Sequence, residues 1–170
     1  MRVAAMGMLL CITGMAVLED LRTGKIPNVI LVGGEVCAFC FQFFTNGAAG
    51  LLIFAGGTVL PLLLLGGLYY FRMIGAGDIK LLCVVGGFLG PADGSACVIA
   101  SILIAGGISL WILIQRRNAV ERMFYFSEYV ERYLTTGKWE SYMEHTAETA
   151  RFCFSVPVLL SVIGYIGGIF

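Results

Sequence analysis

Long apolar blocks alternate along the chain with short clusters of charged and turn-forming residues. Counting apolar residues between charges predicts six spans, over residues 3–18, 27–44, 47–71, 79–89, 96–114 and 152–170. A helix crossing a bilayer core takes about 20 residues, with a range of about 17–25. Block 79–89 falls short of this, since at about 1.5 Å per residue it reaches roughly half of a ~30 Å core. Flanking residues must extend it, or its start must lie below the membrane surface, and Lys80 is placed to snorkel back to the interface. One long polar stretch, 116–151, precedes the last span. In it Met123, Phe124, Phe126, Val130, Tyr133 and Leu134 recur at near-helical spacing, Gly137 breaks the pattern, and Trp139, Tyr142, Met143 and Ala147 resume it. Aromatic and basic residues on amphipathic helices favour the membrane interface, so 116–151 reads as a cytoplasmic or interfacial helical insertion. The expected fold is all-α: a polytopic membrane protein of about six transmembrane helices, one domain over 1–170.

Composition agrees with the pattern. Of the 170 residues 59% are hydrophobic and 13% charged, against roughly 25% charged in soluble domains. A formal net charge of zero argues against nucleic acid as a partner, because that requires a basic footprint. The expected surroundings are membrane lipid. Cys11, Cys37, Cys40, Cys83, Cys97 and Cys153 fall almost entirely within apolar segments, which suits small core residues better than an exposed disulfide framework. Cys37 and Cys40 share a helix face, but a four-thiolate zinc site needs a second such pair, so no metal site is expected.

Lys and Arg concentrate in cytoplasmic loops of membrane proteins. With six spans, one side collects Arg22, Lys25, Arg72, Lys80, Arg116, Arg117, Arg122, Arg132, Lys138 and Arg151, while the other has Arg2. This asymmetry predicts both termini outside the cytoplasm, and it sets Asp20 and Asp78 at the cytoplasmic face. Arg2 before an apolar run, with Gly14-Met15-Ala16 as a small-x-small site, is also compatible with a signal peptide. Cleavage there would delete the helix that presents Asp20, so the segment is read as a retained span. A short loop, 20–26, is expected between the first two spans, with Pro27 in the first turn of the second.

The stretch Gly75-Ala76-Gly77-Asp78-Ile79-Lys80 sets an acid between a glycine turn and an apolar segment. Burying an ionised carboxylate in hydrocarbon costs at least about 2.5 kcal/mol, so such acids mark functional sites. Each acid has a structural account of its own. Asp20 could be a solvated helix-end residue and Asp78 the N-cap of the fourth helix, with Gly75 and Gly77 supplying positive backbone angles. Their joint presence on one side of the membrane points instead to shared chemistry. Two close carboxylates do not both ionise easily and titrate as a coupled pair, which suits activation of water for attack on a peptide carbonyl. Asp20 and Asp78 are thus the candidate catalytic pair. Gly75 and Gly77 would let an extended substrate approach closely, and with Lys80, whose charge would favour ionised Asp78, they are the candidate substrate-binding positions. His145 is the one histidine and reads as a surface residue, which leaves little for a Ser-His-Asp triad or a histidine metal site. Glu35, in the middle of the second span, is expected to hydrogen-bond another helix or face a polar cavity. Asp93-Gly94 reads as an extracytoplasmic turn.

Asp20-Leu21-Arg22 followed by Ile26-Pro27-Asn28, and Gly75-Ala76-Gly77-Asp78-Ile79-Lys80 about sixty residues on, together resemble the type IV prepilin peptidases, membrane aspartyl proteases of the Gly-x-Gly-Asp class. Phe154-Ser155-Val156-Pro157 resembles the Pro-containing start of that family's last helix. The resemblance covers the chain except 116–151. It implies that Asp20 and Asp78 are catalytic, that no cofactor is used, and that the partners are prepilin-like precursors. These would lose a short basic leader, usually after a glycine, at the cytoplasmic face of the cell membrane, in type IV pilus or type II secretion systems. The resemblance is to short, peptidase-only members, without the two Cys-x-x-Cys pairs that accompany N-methylation. The alternative from another class is a small proton-coupled transporter or channel, but its acids would lie near the bilayer middle, where only Glu35 is expected. A catalytically silent assembly scaffold is a third reading, against which the intact acids argue. The oligomeric state is not legible.

Overall fold

A computed structural model describes residues 2–71, 73–115 and 153–169. The expected insertion at 116–151, with His145, lies outside the described residues. The chain forms two compact units, one of residues 1–104 with 153–170, the other of residues 105–152.

All regular structure among the described residues is helical: α1 (Arg2–Thr23), α2 (Asn28–Tyr70), α3 (Ala76–Leu89), α4 (Pro91–Gln115) and α5 (Ser155–Ile166). Helices α1, α2 and α4 are long and apolar enough to cross a membrane. Many large apolar side chains point outward from the first unit, among them Leu18, Val32, Leu52, Leu63 and Leu103, as suits helices whose solvent is acyl chain rather than water. In the second unit, the end of α4 likewise exposes Leu110, Trp111 and Ile114.

Helix α2 is not straight. Gly47 has φ 58° and ψ −139°, outside the helical region, a conformation that costs glycine little. There the chain doubles back. Phe39 and Phe54 meet edge to face with ring centroids 5.6 Å apart, whereas fifteen residues of straight helix would separate them by about 22 Å. The two arms, 28–46 and 48–70, therefore form a helical hairpin, and its bend falls between the predicted blocks 27–44 and 47–71.

Helix α3 is the centre of the first unit. Every residue from Leu81 to Phe88 is buried, the all-round apolar pattern of a helix enclosed by others. Its principal neighbour is the α2 hairpin, which approaches to backbone contact: a Cβ built on Gly57 would stand 2.0 Å from the Gly86 carbonyl oxygen, and one on Gly86 2.1 Å from that of Gly57. Small residues of this kind let membrane helices pack closely. At the C-terminal end of α3, buried Gln42 donates from Nε2 to the carbonyls of Phe88 at 2.8 Å and Gly87 at 3.3 Å. Both are among the last carbonyls of the helix, which have no intrahelical donor. Asn46 Nδ2 in turn donates to Gln42 Oε1 at 2.9 Å.

Helix α5 is tied in by two polar contacts. The Ser101 and Ser161 hydroxyls, both buried, are 2.8 Å apart, and Tyr165 Oη donates to Asp93 Oδ2 at 2.5 Å. Asp93 thus stands in the first turn of α4 rather than in a turn between helices. Pro91 is the first residue of that helix, where its missing N–H is no loss.

Candidate active site

Asp20 lies in the last turn and a half of α1. The helix continues past the apolar block to Thr23 and stops at Gly24, whose φ of 68° ends it in the left-handed conformation that glycine adopts readily. The Gly24 N–H donates to the Asp20 carbonyl at 2.8 Å. Thr23 Oγ1 closes the same end, donating to the Glu19 carbonyl at 2.9 Å and accepting from the Lys25 N–H at 3.3 Å. The expected 20–26 loop is therefore shorter, and Asp20 is a helical residue. Pro27 precedes the first turn of α2 in an extended conformation instead of lying within it. The Asp20 side chain is not a solvated helix end, being 9% exposed.

Asp78 occupies the third position of α3. Gly75 is the N-cap residue, with φ −71° and ψ 147°, so neither the expectation of Asp78 as N-cap nor that of positive angles at Gly75 and Gly77 holds. Among the described residues the positive-φ glycines are Gly24, Gly47, Gly90 and Gly168. From the third position the Asp78 carboxylate reaches back to the Gly75 N–H, the half of a capping box that an acidic third residue supplies. A Cβ on Gly75 would stand 3.1 Å from Asp78 Oδ2, so a side chain there would crowd the carboxylate. A Cβ on Gly77 would make ordinary contact with Ile26, at 3.5 Å.

The two acids meet electrostatically. Asp78 stands just ahead of the apolar run that begins at Ile79. The Asp20 charge acts on the Asp78 carboxyl, which also accepts the Gly75 N–H hydrogen bond. Lys80 does not serve Asp78 by a direct contact: it is exposed, and its Nζ donates to Asn28 Oδ1 at 3.0 Å, which ties the start of α3 to the start of α2.

Sequence reasoning missed Ser155. It is fully buried at the first position of α5, and its hydroxyl donates to Asp20 Oδ2 at 2.5 Å. The Phe154-Ser155-Val156-Pro157 segment was legible as a helix start, where a serine ordinarily caps its own helix. Nothing local shows that this hydroxyl turns to an acid 135 residues away.

Glu35 is half-buried in the first arm of α2. Its Oε2 is buried without a hydrogen-bond partner, so the helix-to-helix bond expected there is not made by that oxygen. An open apolar groove of about 300 Å³ is lined by Met8, Val36, Cys37, Cys40, Phe41, Phe44 and Thr45. Met8 is about 18 Å along α1 from Asp20 at 1.5 Å per residue, so this groove is no part of the acid pair's surroundings.

Fold and site together define an all-helical, membrane-integrated protein with two interacting acids at neighbouring helix ends. The sequence over residues 7–110, more than half of the chain and including both acids, matches the type IV leader peptidase family. The chain belongs to that family, and is thereby a peptidase, a hydrolase. No curated protein and no solved structure matches it.

Proposed function

We propose that this protein is an aspartyl endopeptidase that removes the leader of prepilin-like precursors, with Asp20 and Asp78 as its catalytic pair. The observation that carries the reading is the juxtaposition of two acids from separate helices, close enough that the charge of Asp20 acts on Asp78. Asp20, as carboxylate, takes a proton from water as the oxygen attacks the peptide carbonyl. Asp78, as the acid, donates a hydrogen bond to that carbonyl, and the proton taken from water passes to the leaving amine as the C–N bond breaks. Gly75 and Gly77 leave room for an extended substrate backbone beside Asp78. Lys80 holds the loop ends together through Asn28 and contributes the positive rim of the substrate path.

The six-span arrangement belongs to this proposal. Each arm of the α2 hairpin is long enough for a crossing of about 17–25 residues. Helix α3, at 14 residues, spans only about 21 Å, which would draw Asp78 toward the level of the acyl chains. The distribution of Lys and Arg supports the cytoplasmic face as the side of cleavage, and 116–151 would lie at that face.

The test is co-expression with a candidate prepilin, followed as leader removal by gel shift. Cleavage is expected with the native chain and lost by several orders of magnitude with either Asp20→Asn or Asp78→Asn, since one member of a coupled pair does not replace the other. Native-level cleavage by either inserted variant refutes the two-aspartate mechanism.

A further inference from the structure

The strongest feature not absorbed by this mechanism is the contact between Ser155 and Asp20. A hydroxyl has one proton to donate, and that of Ser155 is committed to Asp20 Oδ2 at 2.5 Å, between two buried side chains. Hydrogen bonds to an ionised acceptor are shorter and about twice as strong as neutral ones, and the distance falls in that class. Helix α5 packs against α1 and carries no charged residue. Among the neighbouring elements, α2 brings no acid or base in its first turn. Helix α3 brings Asp78, which couples to Asp20, and Lys80, which is engaged by Asn28. On α1 itself, Asp20 is flanked by Glu19, which is half-buried, and Arg22, which is exposed.

We infer that Ser155 is a positioning residue for the acid pair: its hydroxyl holds Oδ2 of Asp20, fixes the plane of that carboxyl group, and leaves Oδ1 as the atom that meets water. The inference rests on the two-aspartate reading. Oδ2 keeps a second acceptor site, but the serine fixes its direction, so the carboxyl group meets water in one orientation.

The test compares Ser155→Ala, Ser155→Cys and Ser155→Thr with the native protein, purified in detergent, on a quenched fluorescent peptide spanning the basic leader and first apolar residues of a prepilin. Ser155→Ala is expected to lower kcat by about 10- to 100-fold, the worth of a hydrogen bond to a charged group, with KM within about twofold. Ser155→Thr, which keeps the hydroxyl, should recover most of the rate, and Ser155→Cys, with a weak donor of similar size, should fall between. A lowered rate with no recovery by threonine would mean that Ser155 merely fills space, and the inference fails. A native rate in Ser155→Ala overturns it outright. A substrate-independent reading covers folding and substrate choice: the carboxyl infrared band lost in Asp20→Asn should shift in frequency in Ser155→Ala or Ser155→Cys as its hydrogen bond is lost, and a band at its native frequency overturns the inference. Cleavage surviving Asp20→Asn would strike the two-aspartate reading instead, whatever Ser155 does.

Discussion

Replacing Gly57 by alanine isolates the contact that holds α3 in the hairpin. The added methyl would stand 2.0 Å from the Gly86 carbonyl oxygen, 2.7 Å from its carbon and 3.1 Å from Gly90 Cα. All three are backbone atoms of neighbouring turns, so no side chain can swing away. Even a close C–H···O contact sits at about 3.3–3.6 Å, so the hairpin arm must withdraw by roughly 1.3 Å. A gap of about 0.5–1 Å already forfeits a quarter to a half of the dispersion attraction along the contact, and overpacking costs typically about 1–3 kcal/mol. The expected destabilisation is at the upper end, about 3 kcal/mol. Gly66 in the same arm is the control: a Cβ there meets nothing within 4 Å, so Gly66→Ala should stabilise by about 0.5–1 kcal/mol through helix propensity alone. Both are measured by equilibrium unfolding in mixed micelles, with a thiol-reactive dye reporting exposure of the buried Cys83 and Cys97. If Gly57→Ala unfolds within about 0.5 kcal/mol of the native protein, or the two variants behave alike, the backbone contact does not carry the packing assigned to it.

One further outcome follows from the core. Gln42→Leu strips the donors from the Phe88 and Gly87 carbonyls and should cost about 1–3 kcal/mol, read in the same micelle assay; a loss below about 0.5 kcal/mol would show that other donors satisfy those carbonyls.

Both acids were legible in the sequence because a carboxylate beside an apolar block is conspicuous, and Gly75-Ala76-Gly77 announced a helix start. The bend at Gly47 was legible too, as the polar pause Thr45-Asn46-Gly47 between two apolar runs. The end of α1 was misjudged because hydropathy measures what the membrane accepts, not where a helix stops. Glu19, Asp20 and Arg22 sustain the helix beyond the apolar block, and Gly24 ends it. The role of Gln42 had a signal, a lone amide between Phe41 and Phe43, but the carbonyls it serves are some 45 residues away. Which glycines touch, Gly57 and Gly86 rather than Gly66 or Gly67, depends on how helices cross, and periodicity does not carry that.

The bond between Ser155 and Asp20 also sets an order in time. A ribosome delivers Asp20 and Asp78 early, and the family-matching stretch 7–110 already contains both. The hydroxyl that seats Asp20 arrives 135 residues after it, with the last helix. A nascent chain that has inserted α1 to α4 therefore holds its acids without that restraint until α5 joins them.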